Sequence, residues 1–525
     1  MSFLSQLLEH YHLTLNDLGK RKLPGSFLSL EKPFECPSFL NVVSRIQKAV
    51  KEGEKVVIYG DYDVDGLTST AIMKMALDEL GLNPGFFIPS RYVEGYGLHE
   101  SRVRQFAQKG YQVIICVDNG ISAGKEIELA KSLGMEVIVI DHHEALNELP
   151  STPYIFHQEL SKFITYNCSA ASLAYFVVSY LLKRDDPYFA TLAGIAVFSD
   201  VMPLVGNNLN FAKLAKESIQ KYGYKNFAAL TDVKNIDYSN IQFDIISSLN
   251  AVGRIKKDSI STNNACRFLI EKDKLERIQK LSQEILSANE EKKRLVKELT
   301  FKPGFTFSTT HGEVALVEDY SGIAGLLANR EMKKVNGPVA IFAPSSSEED
   351  ELVGSIRAPS SYRVDEFLNQ NRTKLVRFGG HPQAAGVTIK KTFYIQFATL
   401  FLQECEKQAL DLGKVEDDSI VINLEDLNEE NFAIYESFFP FGEGFPEPKF
   451  SLSIAKEDLV FSKNKTAVFA YSKDKKSKLV YFGMSKDFEE ERYSYFVFDG
   501  TFKKEIFMGK VTYSLVAESY QSYLD

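Results

Sequence analysis

KVVIYGDYDVDG, residues 55–66, joins a short apolar run to three aspartates at alternate positions, Asp61, Asp63 and Asp65. A Val- and Ile-rich run that stops abruptly at acidic residues reads as a buried parallel strand whose carboxyl end presents polar groups. Two further runs repeat the design. VIICVD (113–118) closes on Asp118, and EVIVID (136–141) closes on Asp141, followed at once by His142 and His143. Helix-like segments beginning near Thr68, His99 and Ser122 separate these runs, so residues 55 to about 200 are expected to form parallel βαβ units. The apolar stretch 169–182, broken by Ser and Tyr, reads as a buried helix, and Asp200 follows a second apolar helix in GIAVFSDVMPL. Ligands of such sheets bind beyond the carboxyl ends of the strands, where these acidic and imidazole groups fall.

Three carboxylates spaced as in 61–65 repel one another and are driven towards protonation unless a cation sits among them. An EF-hand loop also begins D-x-D-x-D-G but needs a glutamate at its twelfth position. Counting from Asp61 that position is Ile72, so the EF-hand reading fails. A solvated acidic turn capping the helix that starts near Leu67 accounts for 61–65 alone, but not for the other two strand ends. Only eight histidines occur in the chain, which makes an adjacent pair at a strand terminus informative. Carboxylates mixed with one or two imidazoles suit Mn²⁺ or Mg²⁺ better than zinc, and four converging acidic segments suit a pair of ions clamping a phosphate.

Composition bounds the rest. At 525 residues with 44% hydrophobic and 25% charged residues, the chain has the makeup of a globular protein of about three or four domains. A net charge of -9 argues against a polybasic protein that coats nucleic acid. Five scattered cysteines (Cys36, Cys116, Cys168, Cys266, Cys405) without CxxC spacing argue against a disulfide framework or cysteine zinc site. The start of the chain does not have the pattern of a signal peptide, no apolar run reaches the length of a membrane span, and a reducing cytoplasm is the expected home. Residues 271–299 contain no Gly or Pro and carry apolar positions at helical spacing, as expected of a long amphipathic helix joining two lobes or lying within one core. A second α/β pattern follows, through VALVED (314–319), PVAIFAP (338–344), Arg357 and the glycine cluster FGGHPQAAG (378–386). After the Pro- and Gly-rich FPFGEGFPEPKF (439–450), aromatic runs such as KLVYFG, YSYFVFDG and VTYSLVA read as strands of a small β domain. Residues 451–525 sum to about +1, the least acidic part of the chain and compatible with a barrel that handles nucleic acid.

Taken together, GDYDVDG (60–66), VDNG (117–120), DHH (141–143) and SDVMPL around Asp200 resemble, in content and order, the motifs of the DHH phosphoesterase superfamily. GGHPQAAG (379–386) resembles the signature of its DHH-associated second domain. IPSRYVEGYGL (88–98), LNAVGRI (249–255) and FPFGEGFPEP (439–448) resemble segments of the RecJ-type exonucleases, which act 5′→3′ on single strands. The resemblance covers nearly the whole chain. It implies an α/β fold built from a DHH domain with a parallel sheet, a long connecting helix, a smaller α/β DHH-associated domain and a C-terminal OB-fold β-barrel. The expected divisions are an N-terminal segment (1–45), the DHH domain (46–205), a connecting helical region (206–300), the substrate-binding DHH-associated domain (301–412) and the OB-fold-like domain (413–525).

Position by position, the resemblance implies metal ligation by Asp61, Asp63, Asp65, Asp118, His142 and Asp200, with Asp118 bridging two ions, Mn²⁺ or Mg²⁺. It assigns catalytic roles to Asp118, His142 and His143, phosphate binding to Arg91 and Arg254, and nucleotide contact to Arg357. Gly379, Gly380 and His381 would form a loop whose bare backbone approaches phosphate. The implied activity is metal-dependent hydrolysis of single-stranded DNA to mononucleotides in DNA repair and recombination, by a cytoplasmic monomer working with a helicase and a single-strand-binding protein. Between His143 and Cys168 the family pattern fades, which touches no expected ligand. An additional partner-binding tail found on some relatives is expected to be missing. A DHH phosphodiesterase of short oligonucleotides or cyclic dinucleotides is the rival reading, but it does not account for the aromatic C-terminal domain. A DHH pyrophosphatase is expected to lack these nucleic-acid features. A catalytically dead scaffold is expected to lose strand-end ligands, all of which are present.

Overall fold

The computed structural model describes residues 1–145, 149–256, 261–299, 301, 302, 304–318, 321–335, 337–345, 348–359, 361–412, 418–483, 486–488, 490, 492–507 and 510–524. It divides into two compact units, residues 25–414 and residues 1–24 together with 415–525. No described helix is long and apolar enough to cross a membrane.

The larger unit begins with a five-stranded sheet of β1 (Val56–Tyr59), β2 (Gly85–Phe87), β3 (Val113–Val117), β4 (Glu136–Ile140) and β5 (Ile155–Phe156). Its order is β2-β1-β3-β4-β5 and every pairing is parallel. The VVIY, VIICV and VIVI segments are buried because helices cover both faces. Leaving β1 the chain turns to one side, towards β2, and then crosses to β3 on the other. That makes the carboxyl ends of β1 and β3 the topological switch point, where a doubly wound sheet opens a crevice. The helix after β1 spans Val64–Glu79 and begins earlier than the apolar pattern indicates, because Asp63 caps it by accepting from the Gly66 N–H. Apolar helices Ala170–Leu182 and Pro187–Ser199 lie buried in the same core as Val56, Ile58 and Ile115. Gly194 lets the second of these approach helix Gly206–Tyr222 closely, since a Cβ there would sit 2.1 Å from the Phe211 carbonyl oxygen.

The helix expected from residues 271–299 spans Leu275–Glu298. Ile278, Leu281, Ile285 and Ala288 belong to the core of the first sheet, whereas Leu295 packs with Ile255, Ile323 and Ala324 against the second. One helix thus ties two cores together. The second sheet comprises β6 (Thr306–Ser308), β7 (Glu313–Leu316), β8 (Val339–Pro344), β9 (Glu351–Arg357), β10 (Arg377–His381) and β11 (Ala384–Lys390) in the order β10-β11-β9-β8-β7-β6. The segment expected as a glycine–histidine loop is here the edge strand β10 and its hairpin with β11. Gly379 pairs with Gly386 and Gly380 with Ala385, so ladder hydrogen bonds organise it.

The smaller unit is built on β12 (Ile420–Ile422), β13 (Phe450–Ala455), β14 (Val460–Phe461), β15 (Ala467–Tyr471), β16 (Ser477–Phe482), β17 (Tyr495–Phe507) and β18 (Lys510–Tyr523). The sheet order is β12-β13-β17-β18-β16-β15-β14. β13 and β14 are separated only by the short turn Lys456–Asp458, so one bent strand pairs with β17 at one end and with β15 at the other. That bent strand closes the sheet on itself as a five-stranded barrel, with β16 parallel to β18, the arrangement expected of an OB-type domain. The first residues of the chain belong to this unit. Phe3 stacks on Phe450, Tyr11 lies on Phe445 with ring centroids 4.2 Å apart, and Arg21 donates to the Phe438 carbonyl at 2.9 Å.

Candidate metal centre

Each strand end delivers its acidic group by a local device. Asp63 is fixed as an N-cap. Asp65, one residue into the same helix, points across to the start of helix Ala170–Leu182 and accepts from the Ala170 and Ala171 N–H groups at 2.7 and 2.8 Å. Free amides at a helix start are natural partners for a carboxylate. Asp118 leaves β3 in a left-handed conformation (φ 62°), which turns its side chain out of strand alternation, and its N–H donates to the Ile140 carbonyl at 3.0 Å. Asp200 ends helix Pro187–Ser199.

These groups converge. Ligand atoms of Asp61, Asp63 and Asp118 lie within 4.8 Å of one another, and so do those of Asp65, His142 and Asp200. His142 Nε2 is 3.2 Å from both Asp118 Oδ1 and Asp200 Oδ2 and 3.6 Å from Asp65 Oδ2, so the two groups adjoin along the Asp118–His142 contact. A third group joins Asp118, Asp141, His142 and His143. Asp118 therefore belongs to two of the three.

The electrostatics favour added positive charge. Burial, reinforced by Asp63, pushes Asp65 up to about 7 despite its two amide donors. Burial and neighbouring carboxylates likewise raise Asp61, Asp118 and Asp200 well above the ordinary carboxylate range. Among the described residues Asp61 Oδ1 is buried without any hydrogen-bond partner. A buried carboxylate oxygen with no donor, in a cluster of mutually repelling carboxylates, fits hard divalent cations bound by oxygen with one imidazole.

Asp141 has a different task. Its Oδ2 accepts from the Ile121 N–H at 3.0 Å, and its Oδ1 accepts from the His142 N–H and lies 2.8 Å from His143 Nδ1. Burial alone would raise this carboxyl, but the His143 hydrogen bond and both imidazoles hold it at about 2. In return, against the effect of burial, Asp141 pushes His143 up to about 9. Asp141 is thus the clamp that orients the two histidines, a role the DHH spacing left unassigned. Tyr96 was also missed by sequence reasoning. Its hydroxyl lies 3.1 Å from His143 Nδ1 and 3.3 Å from the Asp118 carbonyl oxygen. Only the aromatic within YVEGYGL marks it in the sequence.

A cationic cluster stands beside the acidic one. Arg91 lies over the Tyr62 ring, 4.3 Å from its centroid, and its buried Nε has no hydrogen-bond partner among the described residues. Arg254 donates to the Gly322 carbonyl at 3.2 Å. Burial, with repulsion from Arg91 and Arg357, lowers Arg254 to about 10, and burial and Arg91 lower Arg357. Three guanidiniums gathered this closely, with Arg91 acting on both of the others, form a site suited to an anion. Arg357 ends β9 opposite Ala384, and Ala384 pairs in turn with His381, so the expected glycine–histidine segment lies two strands from Arg357 on one rung. Gly380 has φ 133°, and a Cβ there would meet the Ala384 carbonyl oxygen at 2.4 Å. The His381 side chain lies outside the described part of the structure.

Comparison with known proteins adds the lineage. The DHH family N-terminal domain matches residues 55–197. The single-stranded-DNA-specific exonuclease RecJ of Escherichia coli K12 is 30% identical over 452 residues, covering 78% of this chain and 76% of that one. The RecJ of Bacillus subtilis 168 is 30% identical over 472 residues, and the chain spans 59% of its length. Among solved structures, the Mn²⁺ complex of RecJ from Thermus thermophilus superposes with a TM-score of 0.79 at 21% identity, covering 99% of this chain and 76% of that one, a likeness of fold.

Proposed function

This chain belongs to the family of RecJ single-stranded-DNA-specific exonucleases, and from that premise we propose that it hydrolyses single-stranded DNA from the 5′ end to mononucleotides, using two divalent cations. The observation that carries the proposal is the adjacency of the acidic cluster to the three arginines. A carboxylate–imidazole centre that wants cations and a guanidinium site that wants an anion together accommodate two successive phosphates, the scissile one and the 5′-terminal one.

Asp61, Asp63 and Asp118 would hold one cation and Asp65, His142 and Asp200 the other, with Asp118, whose Oδ1 lies 3.2 Å from His142 Nε2, shared between them as the family resemblance implies. Mn²⁺ or Mg²⁺ in these positions supplies Lewis-acid polarisation of the phosphate and lowers the pKa of coordinated water. Asp141 keeps its hydrogen bond to His143 Nδ1, which leaves Nε2 of that ring to donate towards phosphate oxygens as charge builds on them. Arg91, Arg254 and Arg357 would bind the 5′-terminal phosphate and set the register of the strand, bidentate guanidinium contacts being suited to that task. Gly379 and Gly380, with His381, would carry the adjoining backbone along the edge of β10. The aromatic barrel would guide the strand by base stacking. A role in DNA repair and recombination, in the cytoplasm, as a monomer and beside a helicase and a single-strand-binding protein, follows from the family resemblance.

The test is degradation of a long single-stranded DNA labelled at either end, with Mn²⁺ and with chelator, beside blunt-duplex and dinucleotide controls. Metal-dependent release of mononucleotides from the 5′ end of single strands is expected. Cleavage of the dinucleotide alone would transfer the site to the small-substrate phosphodiesterases. Degradation of blunt duplex at a comparable rate would refute strand selection.

A further inference from the structure

The metal-binding segments come from distant parts of the chain, and two of them are tied together by a residue that is not a ligand. Asn250 sits on helix Ser247–Val252, which follows directly on a π-helical turn, Ile241–Ile246. Its Oδ1 accepts from the Val64 N–H at 3.2 Å, and its Nδ2 donates to Ser199 Oγ at 3.3 Å. Val64 lies between Asp63 and Asp65, and Ser199 immediately precedes Asp200. The amide orientation is fixed chemically, since only its oxygen can meet a backbone N–H. Asn250 therefore bridges the acidic turn after β1 and the end of helix Pro187–Ser199, whose carboxylates Asp65 and Asp200 share one candidate cation position.

The helix carrying Asn250 is keyed into the same turn a second time. Gly253 packs so closely on the Tyr62 carbonyl that a Cβ would lie 2.7 Å from its oxygen. The next residue is Arg254, whose carbonyl accepts the Tyr92 hydroxyl and whose guanidinium donates to Gly322. From behind, Lys292 of the long helix donates to the Ser247 carbonyl and hydroxyl at 2.7 and 2.8 Å, which anchors the start of this short helix. π-helical turns often mark functional positions, and here one precedes the helix that spans from the acidic turn to the arginine site.

We infer that Asn250 is a positioning residue of the metal centre: it fixes the spacing between the Asp63–Asp65 turn and Asp200, and so the affinity for the cation that Asp65 and Asp200 share. The inference rests on the two-cation reading above. Removing the amide frees both segments without deleting a ligand. Asn250→Ala is expected to weaken one Mn²⁺ site at least tenfold and leave the other near wild type. Asn250→Asp keeps an acceptor for the Val64 N–H, and the Ser199 hydroxyl can rotate to donate to it, so this variant is expected to retain both sites. Ser199→Ala cuts only one end of the bridge and should give an intermediate loss.

The experiment is calorimetric titration of Mn²⁺ into the chelator-treated full chain for wild type and these three variants, with thermal melts in chelator to verify folding. If wild type takes up no Mn²⁺, the metal reading itself fails. If wild type binds two ions and Asn250→Ala, melting normally, binds them with unchanged affinities, the positioning role of Asn250 is overturned while the metal reading stands. Should Asn250→Ala fold poorly, Ser199→Ala decides: weakened uptake of one ion supports the bridge, and unchanged uptake overturns it.

Discussion

In metal-free protein, raising the pH from about 5 to about 8 is expected to lower the thermal stability of the 25–414 unit, and Mn²⁺ is expected to remove the effect. Asp65 is the clearest contributor. Its folded-state pKa is about 7 against an ordinary value of 3.8, so between those values the folded chain holds a proton that the unfolded chain has released. Stability therefore falls as pH rises through that window and levels off above it. His143 acts with the same sign: raised from 6.5 to about 9, its favourable contribution is complete below the lower value and is lost as pH climbs through the upper one. Asp141, held at about 2, works in the opposite sense but loses its contribution only as pH falls from 3.8 towards 2, outside the range. At about 1.4 kcal/mol per pKa unit, Asp65 alone costs about 4 kcal/mol once ionised. Asp61, Asp118 and Asp200 are raised by burial first and by repulsion from the same carboxylates second, and so act in the same direction. Of the Asp65 cost, the part incurred between pH 5 and 8 is about 2 pKa units, or about 2.7 kcal/mol. With an unfolding entropy of about 2.1 cal/mol/K per residue, a unit of this length responds by about 3 °C in Tm. Differential scanning calorimetry in chelator across the pH series, repeated with excess Mn²⁺, measures the shift. A chelated protein whose Tm holds level or rises over this range would refute the picture of carboxylates crowded together without compensation.

Asp118→Ala is expected to abolish turnover while leaving the circular dichroism spectrum and Tm in chelator unchanged or raised, because it removes a shared ligand and one source of repulsion. Activity within tenfold of wild type would contradict its place in two ligand groups. Arg254→Ala should erase any preference for 5′-phosphorylated over 5′-hydroxyl single strands, a loss of roughly 10- to 100-fold for a charge-assisted contact of about 1.5–3 kcal/mol; competition between the two substrates reads it directly. Gly194→Ala is expected to destabilise the larger unit by about 1–3 kcal/mol or more, because the new methyl has nowhere to go but the Phe211 carbonyl. Denaturant melts would show whether that helix contact is as close as described.

Much of the site was legible one residue at a time. Val- and Ile-rich runs that end in Asp are local patterns, and burial of a parallel strand on both faces is what such a pattern requires, so β1, β3, β4 and the residues following them could be read directly. The aromatic runs of the last domain and the Gly- and Pro-free helix are local in the same way. What the sequence could not carry was the pairing of groups far apart along the chain. That Asp65 leans on the amides of residues 170 and 171, that Asp141 serves the histidines, and that Tyr96 reaches His143 all depend on which loops the sheet order brings side by side. The same holds for the closure of the barrel through one bent strand and for the first 24 residues, whose aromatic side chains find partners more than 400 residues later. Hydrophobic periodicity and turn chemistry act over a few residues and so determine the elements and the groups they carry. Hydrogen bonds and ring contacts between distant segments form only after chain reversal, so the choice of clamp, bridge and shared ligand belongs to the tertiary structure.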